Sequence, residues 1–539
     1  MTRVDATAAR PDPRLQAARE ALRQRRLQQA YNVCGAVLAT DPAHTEALFL
    51  MGRTLQEAGD ILSAIDLLGR ASQRDPEFAE TLIYLARANQ EAGRNADARS
   101  AALRALQMVE AGRRTSAGVT AVGLDTLGVV LDRVGEHARA VDAAKRAVAL
   151  EPARGAFWRN LGWSELHQNG VDAARKAFRK AMALDPNDHQ APAALVDIEL
   201  QTVESNLILS LKRLFAAASD PDRRLLIGHA LAKSLEDLGQ PEKAFDWLVR
   251  AKAAKRAATR YDSQIDQALF DAAAVTPPAT SCPLTSNPIF VIGLPRSGTT
   301  LVDRIISSHP DVASVGEPST MLAAVNRIAA PSGSAWLEPS TLDRAASSRP
   351  EILGRAYIDA TQPLVAGGRR WLDKTPENYL FAGLIHRALP DARIVCVRRH
   401  PLDSVLSLFR QSFSPRTIYQ FTYGLEDVAR YYVMFDRLVA HWRATLPAER
   451  FCEIHYEDIV TDLEVAAPRL LDLCGLDWNE AALRPHENAA AVSSASAAQV
   501  RREVHSASVG RWRAYGERLA PAIHILSEAG LLTELEANR

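Results

Sequence analysis

The chain of 539 residues is too long for one hydrophobic core, because cores stop growing at roughly 250–300 residues and longer chains split into domains. Lys plus Arg equals Asp plus Glu, at 64 each. This balance excludes a bulk charge that would draw the whole molecule onto nucleic acid or an anionic membrane, so any anion binding must be local.

The first residues of the chain carry no apolar signal segment, and no later run approaches the roughly 20 apolar residues of a membrane-spanning helix. The five cysteines show no CxxC spacing that would indicate a zinc site or a redox disulfide. We therefore expect a protein of a reducing compartment, located in the cytoplasm and without a membrane span.

A fixed interval governs the N-terminal half, which is rich in Ala, Leu, Glu and Arg at helical spacing. Leu127-Gly128 returns 34 residues later as Leu161-Gly162, and the same interval separates two pairs of prolines, Pro42 from Pro76 and Pro152 from Pro186. A 34-residue period of paired helices is typical of tetratricopeptide repeats. We predict an all-α repeat superhelix over residues 8–260.

The repeats predict a concave surface, since each repeat buries its apolar face only by stacking on its neighbours. Such a groove favours a peptide or protein partner, and a plain scaffold or a homodimer surface stays an alternative. No nucleic-acid partner is expected. A Pro-, Ser- and Thr-containing stretch predicts a linker over 261–286, followed by an enzyme domain over 287–539.

The enzyme domain begins with an apolar run, 288–292, that suits a buried parallel strand, and helical spacing resumes at Thr299. Between them lies the loop Gly293–Thr300. A strand followed by a glycine-containing turn and the start of a helix directs several backbone N–H groups toward one point. This arrangement favours the binding of a phosphate. Thr299 stands where a Walker A loop needs Lys, so ordinary ATP chemistry is not expected.

This loop resembles the 5′-phosphosulfate loop of sulfotransferases that use 3′-phosphoadenosine-5′-phosphosulfate (PAPS). The resemblance implies PAPS as the sulfuryl donor and 3′-phosphoadenosine-5′-phosphate (PAP) as its product. No strong metal-ligand pattern stands out in the sequence, so no metal is expected. It assigns the donor contacts to Pro295, Arg296, Ser297, Gly298, Thr299 and Thr300.

A second phosphate motif follows another apolar run, 392–397. Arg399 lies at the end of this predicted strand, where doubly wound sheets bind ligands, and Ser407 lies eight residues further on. The pair is similar to the Arg and Ser that hold the 3′-phosphate of PAPS in sulfotransferases. A kinase has no use for a 3′-phosphate site, so the pair favours sulfuryl transfer over phosphoryl transfer.

Two catalytic residues are implied by resemblance to the tyrosylprotein sulfotransferases. Glu317 lies 21 residues beyond Arg296 and matches the spacing of their general base, while Lys374 matches a lysine that stabilises the transition state. The alternatives are a solvated surface Glu317 and a surface ion pair of Lys374 with Asp373 or Glu377.

Three further assignments rest on the same resemblance. Ser496 is expected as a catalytic hydrogen-bond donor near the transferring group, and Arg511 as a contact to a phosphate. A mobile lid would also explain the Ser- and Ala-rich residues around Ser496. Tyr456 resembles a tyrosine that packs on the adenine, and a core tyrosine is the alternative.

The whole chain looks like the bacterial tetratricopeptide-repeat sulfotransferases. The expected fold is multidomain, with the all-α repeats followed by a P-loop-like α/β domain around a central parallel sheet. The expected acceptor is a tyrosine or another hydroxyl of a peptide or protein held by the repeats. A saccharide or small alcohol, and a non-catalytic adaptor with a nucleotide-binding fold, stay open.

Overall fold

The computed structural model describes residues 12–111, 119–168, 170–275, 282–329, 337–365, 369–413, 419–488 and 503–533. The chain divides into two compact units, Met1–Ala216 and Ala217–Arg539. The repeats occupy the first unit, and the parallel sheet lies in the second.

The described part of the first unit is entirely helical, and consecutive helices pack as hairpins. Its helices are α1 (Pro13–Arg23), α2 (Leu27–Thr40), α3 (Thr45–Ala58), α4 (Ile61–Arg74), α5 (Ala79–Glu91), α6 (Asn95–Glu110), α7 (Ala121–Arg133), α8 (His137–Leu150), α9 (Gly155–His167), α10 (Val171–Leu184), α11 (Gln190–Ile198) and α12 (Ile208–Ala217).

Close approach within each hairpin explains the recurring Leu-Gly pair. A Cβ added to Gly128 would lie 3.2 Å from the carbonyl oxygen of Ala140, and one added to Gly162 would lie 2.6 Å from the Phe178 ring. Glycine therefore lets the two helices of a repeat touch. The repeat prediction made from the 34-residue period is confirmed in the fold.

Three helices precede the sheet within the second unit, namely α13 (Pro221–Asp237), α14 (Pro241–Thr259) and α15 (Ser263–Ala274). Phe245 of α14 packs against Phe409, with ring centroids 5.2 Å apart, so this helix belongs to the core of the second unit. The sequence-based domain bounds at 260 and 287 stay a prediction. The compact units divide earlier in the chain, and part of the predicted linker is helix α15.

A parallel sheet of five strands forms the centre of the second unit, in the order β2-β3-β1-β4-β5. The strands are β1 (Ile289–Gly293), β2 (Val312–Gly316), β3 (Arg370–Asp373), β4 (Arg393–Arg398) and β5 (Phe451–His455). Every residue of β1 is buried, as its apolar run requires at the middle of a sheet covered on both faces. The predicted α/β fold with a central parallel sheet is confirmed.

Helices flank this sheet, together with short 3₁₀ turns. They are α16 (Thr299–Ser307), α17 (Thr320–Ala329), α18 (Pro339–Ser347), α19 (Pro350–Thr361), α20 (Ala382–Ala388), α21 (Pro401–Arg410), α22 (Leu425–Thr445), α23 (Tyr456–Thr461), α24 (Leu463–Leu473) and α25 (Ala520–Glu528). Within the described ranges, no helix has the length and apolar character that crossing a bilayer demands.

Candidate functional site

The carboxyl edge of the sheet collects residues that the sequence singled out. Glu317 follows β2, Lys374 follows β3, the loop Gly293–Thr300 follows β1, Arg399 follows β4 and Tyr456 begins just after β5. Because all five strands are parallel, these residues lie along one edge. Open α/β sheets bind their ligands at this edge, beside the strand where the connections change direction.

The phosphate-type loop has the backbone that its glycines predict. Gly298 caps α16 with φ +108°, and a Cβ there would lie 2.5 Å from the Tyr456 ring, so only glycine fits. Arg296 also adopts positive φ, at +70°. The turn brings the N-terminus of α16 to the carboxyl end of β1, which is the geometry of an anion site.

One cavity of about 440 Å³ lies over this loop. It brings together seven of the predicted donor contacts, from both phosphate motifs, the end of β5 and the C-terminal stretch. These are Arg296, Gly298, Thr300, Arg399, Ser407, Tyr456 and Arg511. Pro295, Ser297 and Thr299 lie in the loop without lining the cavity, and Ser297 and Thr299 are buried.

Positive charge is concentrated in the cavity. Burial lowers the pKa of Arg296, and the neighbouring guanidinium groups of Arg399 and Arg410 lower it further. Arg399 donates to the carbonyl oxygens of Arg296, at 3.1 Å, and Ser508, at 2.5 Å. Its guanidinium carbon lies 4.9 Å from the ring centre of Tyr456, a cation–π contact that fixes its direction. An anion would relieve the repulsion among these arginines.

Buried polar atoms in the same place lack partners among the described residues. The Ser297 Oγ and the Arg399 Nε are both buried without a hydrogen bond there. Arg399 lines the cavity, so a phosphate oxygen bound there would accept from its Nε. The residues present therefore fit an anionic ligand at this edge.

The C-terminal stretch forms one wall of the cavity and is tied to α21. The Asp403 carboxylate accepts from the backbone N–H of Gly510, at 2.6 Å, and of Trp512, at 3.0 Å. The Trp512 ring stacks on His400 at 5.7 Å, with 8° between the planes. Six residues between Glu503 and Arg511, both included, line the cavity. Ser496 lies outside the described residues, so its predicted role stays a prediction.

A carboxylate from α13 supports the two arginines at the far end of the cavity. Glu236 is nine-tenths buried and accepts from Arg410 Nε at 2.5 Å, from Arg511 at 3.2 Å and from the Tyr515 hydroxyl at 2.7 Å. Sequence reasoning missed Glu236 and Arg410. Glu236 lies in a segment interpreted as repeat, and no motif marks it.

Glu317 and Lys374 form an ion pair beside the loop rather than inside the cavity. The backbone N–H of Lys374 donates to the carbonyl oxygen of Gly316 at 2.9 Å, which places the two side chains next to each other. The Lys374 side chain is 3% exposed and that of Glu317 is 37% exposed. The ammonium is therefore buried, and the carboxylate reaches the surface.

More carboxyl groups surround this ion pair. Burial, with a contribution from the Glu317 charge, raises the pKa of Glu377 to about 7. Burial raises the pKa of Asp373 to about 6, and Asp373 accepts hydrogen bonds from Thr375 and from the Tyr357 hydroxyl. Glu377 was treated in the sequence only as an alternative partner of Lys374. A carboxyl group with a pKa near neutrality is suited to proton transfer, and only the packing reveals it.

Comparison with known proteins agrees with this geometry. The sulfotransferase family matches residues 288–480, and the tetratricopeptide repeat matches residues 49–113 and 126–189. An uncharacterized protein of Aquifex aeolicus (strain VF5) is 27% identical over 371 residues, which are 66% of this chain and 48% of that protein. Heparan sulfate glucosamine 3-O-sulfotransferase 6 of Homo sapiens is 23% identical over 221 residues, 37% of this chain and 57% of that protein. The chain spans about half the length of each of these relatives.

Among solved structures, the sulfotransferase domain of the Synechococcus PCC 7002 olefin synthase matches with a TM-score of 0.33 and 16% identity. The match covers 47% of this chain and 98% of that domain, and at this score it carries no weight. The assignment rests instead on the family matches and on the sheet edge described above. The chain contains tetratricopeptide repeats followed by a domain of the sulfotransferase family.

Proposed function

We propose that the protein transfers the sulfuryl group of PAPS to a hydroxyl acceptor. The observation that carries the proposal is the meeting of Arg296, Arg399 and Ser407 in one cavity. Two separate anion-binding elements, one after β1 and one after β4, suit a donor that is phosphorylated at both ends of its ribose. The loop lacks the lysine that nucleoside-triphosphate chemistry uses.

Glu317 and Lys374 are the catalytic residues in this proposal. Glu317 takes the proton of the acceptor hydroxyl as the new O–S bond forms. The bond between sulfur and the bridging phosphate oxygen breaks in line with it, and Lys374 stabilises the charge that develops on that oxygen. Glu317 directly follows β2 and Lys374 directly follows β3, the strand beside β1 and its loop, which supports this arrangement.

The acceptor we favour is a hydroxyl of a peptide or protein, tyrosine included, presented by the repeats. Tetratricopeptide repeats are built around a surface that commonly holds peptides, which supports this choice. A saccharide hydroxyl is the second candidate, because a human relative is named as a heparan sulfate sulfotransferase.

Donor specificity is tested by thermal stabilisation, since a ligand that binds the folded state raises the Tm. PAP should raise the Tm strongly, and ATP and adenosine 5′-monophosphate weakly. In the double variant Arg399→Ala/Ser407→Ala, the rise in Tm caused by PAP should be no larger than the rise caused by adenosine 5′-monophosphate. Equal shifts by PAP and ATP in the unmodified chain would exclude PAPS as the donor.

The acceptor is tested by transfer of labelled sulfate from PAPS into a cell lysate. Protease-sensitive label would support a protein acceptor, and label released by glycosidases would support a saccharide. An absence of label under conditions where PAP binds would favour the adaptor alternative over an enzyme.

A further inference from the structure

We propose that the repeats bind a divalent transition-metal ion at Asp132, His137 and His167. No metal was expected from the sequence, and this site would depart from that expectation. The cluster lies in the first unit, far along the chain from the transfer site. Asp132 is in the last turn of α7, His137 begins α8 and His167 ends α9. The three residues thus join two successive repeats.

The potential ligand atoms already converge. The Nδ1 atom of His137 lies 2.9 Å from one Asp132 carboxylate oxygen, and the Nδ1 atom of His167 lies 2.6 Å from the other. Each of the three residues offers one ligand atom, and these three atoms all lie within 4.8 Å of one another. In a tetrahedral zinc site, bonds of about 2.0–2.2 Å put ligand atoms roughly 3.3 Å apart. An ion would therefore enter with ligand movements of about 1 Å or less.

The rings are held in place by their surroundings. His167 stacks on Trp163 at 6.1 Å, with 30° between the planes, and lies 5.9 Å from the His137 ring. His137 follows a tight turn at Gly135, which has φ +84°. The neighbouring carboxylate of Glu136 is engaged by Arg99 and Arg139, so Asp132 is the acid that faces the two imidazoles.

Ligand chemistry selects the class of ion. Two imidazoles and one carboxylate suit Zn²⁺ and the ions near it in the first transition row, rather than Ca²⁺ or Mg²⁺, which prefer oxygen alone. Three protein ligands leave one tetrahedral position for water. Because its ligands come from α7, α8 and α9, the ion would cross-link the stack of repeats.

The test uses the full untagged chain after removal of metal by a chelator. Calorimetric titration with Zn²⁺ should show one stoichiometric site, and Co²⁺ should give the visible absorption of a tetrahedral nitrogen and oxygen site. The variant His137→Gln/His167→Gln should lose both signals. Folding is checked by circular dichroism, and both histidines are more than two-fifths exposed, so the variant should remain folded.

A matched control is His524→Gln, which removes an exposed histidine paired with Glu528 and should keep the site. Zinc should also raise the Tm of the unmodified chain but not of the double variant. Equal zinc binding by the unmodified chain and the double variant, or none by either, would overturn the proposal and leave the cluster as a hydrogen-bonded trio.

Discussion

The carboxylate of Glu317 accepts a hydrogen bond from the Nζ of Lys374, and this ion pair joins the ends of β2 and β3. If Glu317 is the general base, Glu317→Gln should lower kcat by about 10²–10⁴-fold, because the amide cannot take the proton. PAP affinity should stay unchanged, since Glu317 does not line the cavity. Labelled sulfate transfer and PAP titration measure the two effects.

The control for this variant is Glu426→Gln, which alters an exposed carboxylate on α22. It should leave both transfer and PAP binding unchanged. Full transfer by Glu317→Gln would show that another group accepts the proton, and Glu377 would then be the next residue to replace.

Glu377 should make the stability of the second unit depend on pH. Its pKa is about 7 in the folded chain and near 4.5 when exposed, so the unfolded chain loses its proton first as pH rises. The Tm should therefore fall between pH 4.5 and 7, and Glu377→Gln should flatten this fall. Calorimetric scans across that range measure the difference. If the Tm of Glu377→Gln fell with pH as steeply as that of the unmodified chain, this result would contradict the raised pKa of Glu377.

Glu236 should contribute to donor binding without touching the donor. Glu236→Gln replaces the carboxylate that Arg410 and Arg511 share, and hydrogen bonds to charged groups are worth about 1.5–3 kcal/mol. We expect PAP affinity to fall by roughly tenfold or more.

Glu242→Gln is the control for Glu236, because Glu242 begins the neighbouring helix and pairs with Arg518 at a more exposed position. PAP titration should separate the two variants. Equal affinities would mean that Arg410 and Arg511 keep their direction without Glu236.

Gly298→Ala tests the loop itself. The left-handed backbone costs a residue with a Cβ about 1–2 kcal/mol, and here the Cβ also collides with the Tyr456 ring. PAP affinity should drop at least about tenfold, or about 1.4 kcal/mol. Gly475→Ala also places a Cβ on a backbone of positive φ, at +65°, but that Cβ meets nothing closer than 3.7 Å. This control should bind PAP normally, and a matching loss in both variants would contradict the role of the Tyr456 contact.

Sequence patterns predicted the parts of the fold that repeat or that carry strong periodicity. The 34-residue interval identified the repeats, and the buried runs of β1 and β4 identified the centre of the sheet. Strands β2 and β3 had no such signal. β3 has only four residues, and β2 is an edge strand whose burial is partial after Val312. Short, half-exposed strands are specified by their neighbours rather than by their own sequence.

The candidate site also contains some residues that the sequence predicted and others that it did not. Residues inside local motifs, such as Arg296 and Arg399, were found because a loop and a strand end fix their direction. Glu236 supports the cavity through a contact 174 residues along the chain from Arg410, and Glu377 owes its pKa to burial. Neither the contact of Glu236 nor the raised pKa of Glu377 can be predicted from the residues adjacent in sequence.

The position of Glu236 sets a lower limit on the length of a fragment that keeps the cavity intact. A fragment cut at residue 288, where the sulfotransferase family match begins, would lose the acid that pairs with Arg410 and the Phe245 ring that packs on Phe409. Phe409, which is 2% exposed in the intact chain, would then meet water, and the loss of apolar burial destabilises the fold. A fragment that folds alone and keeps the cavity should therefore start near Ala217, with α13 to α15 retained.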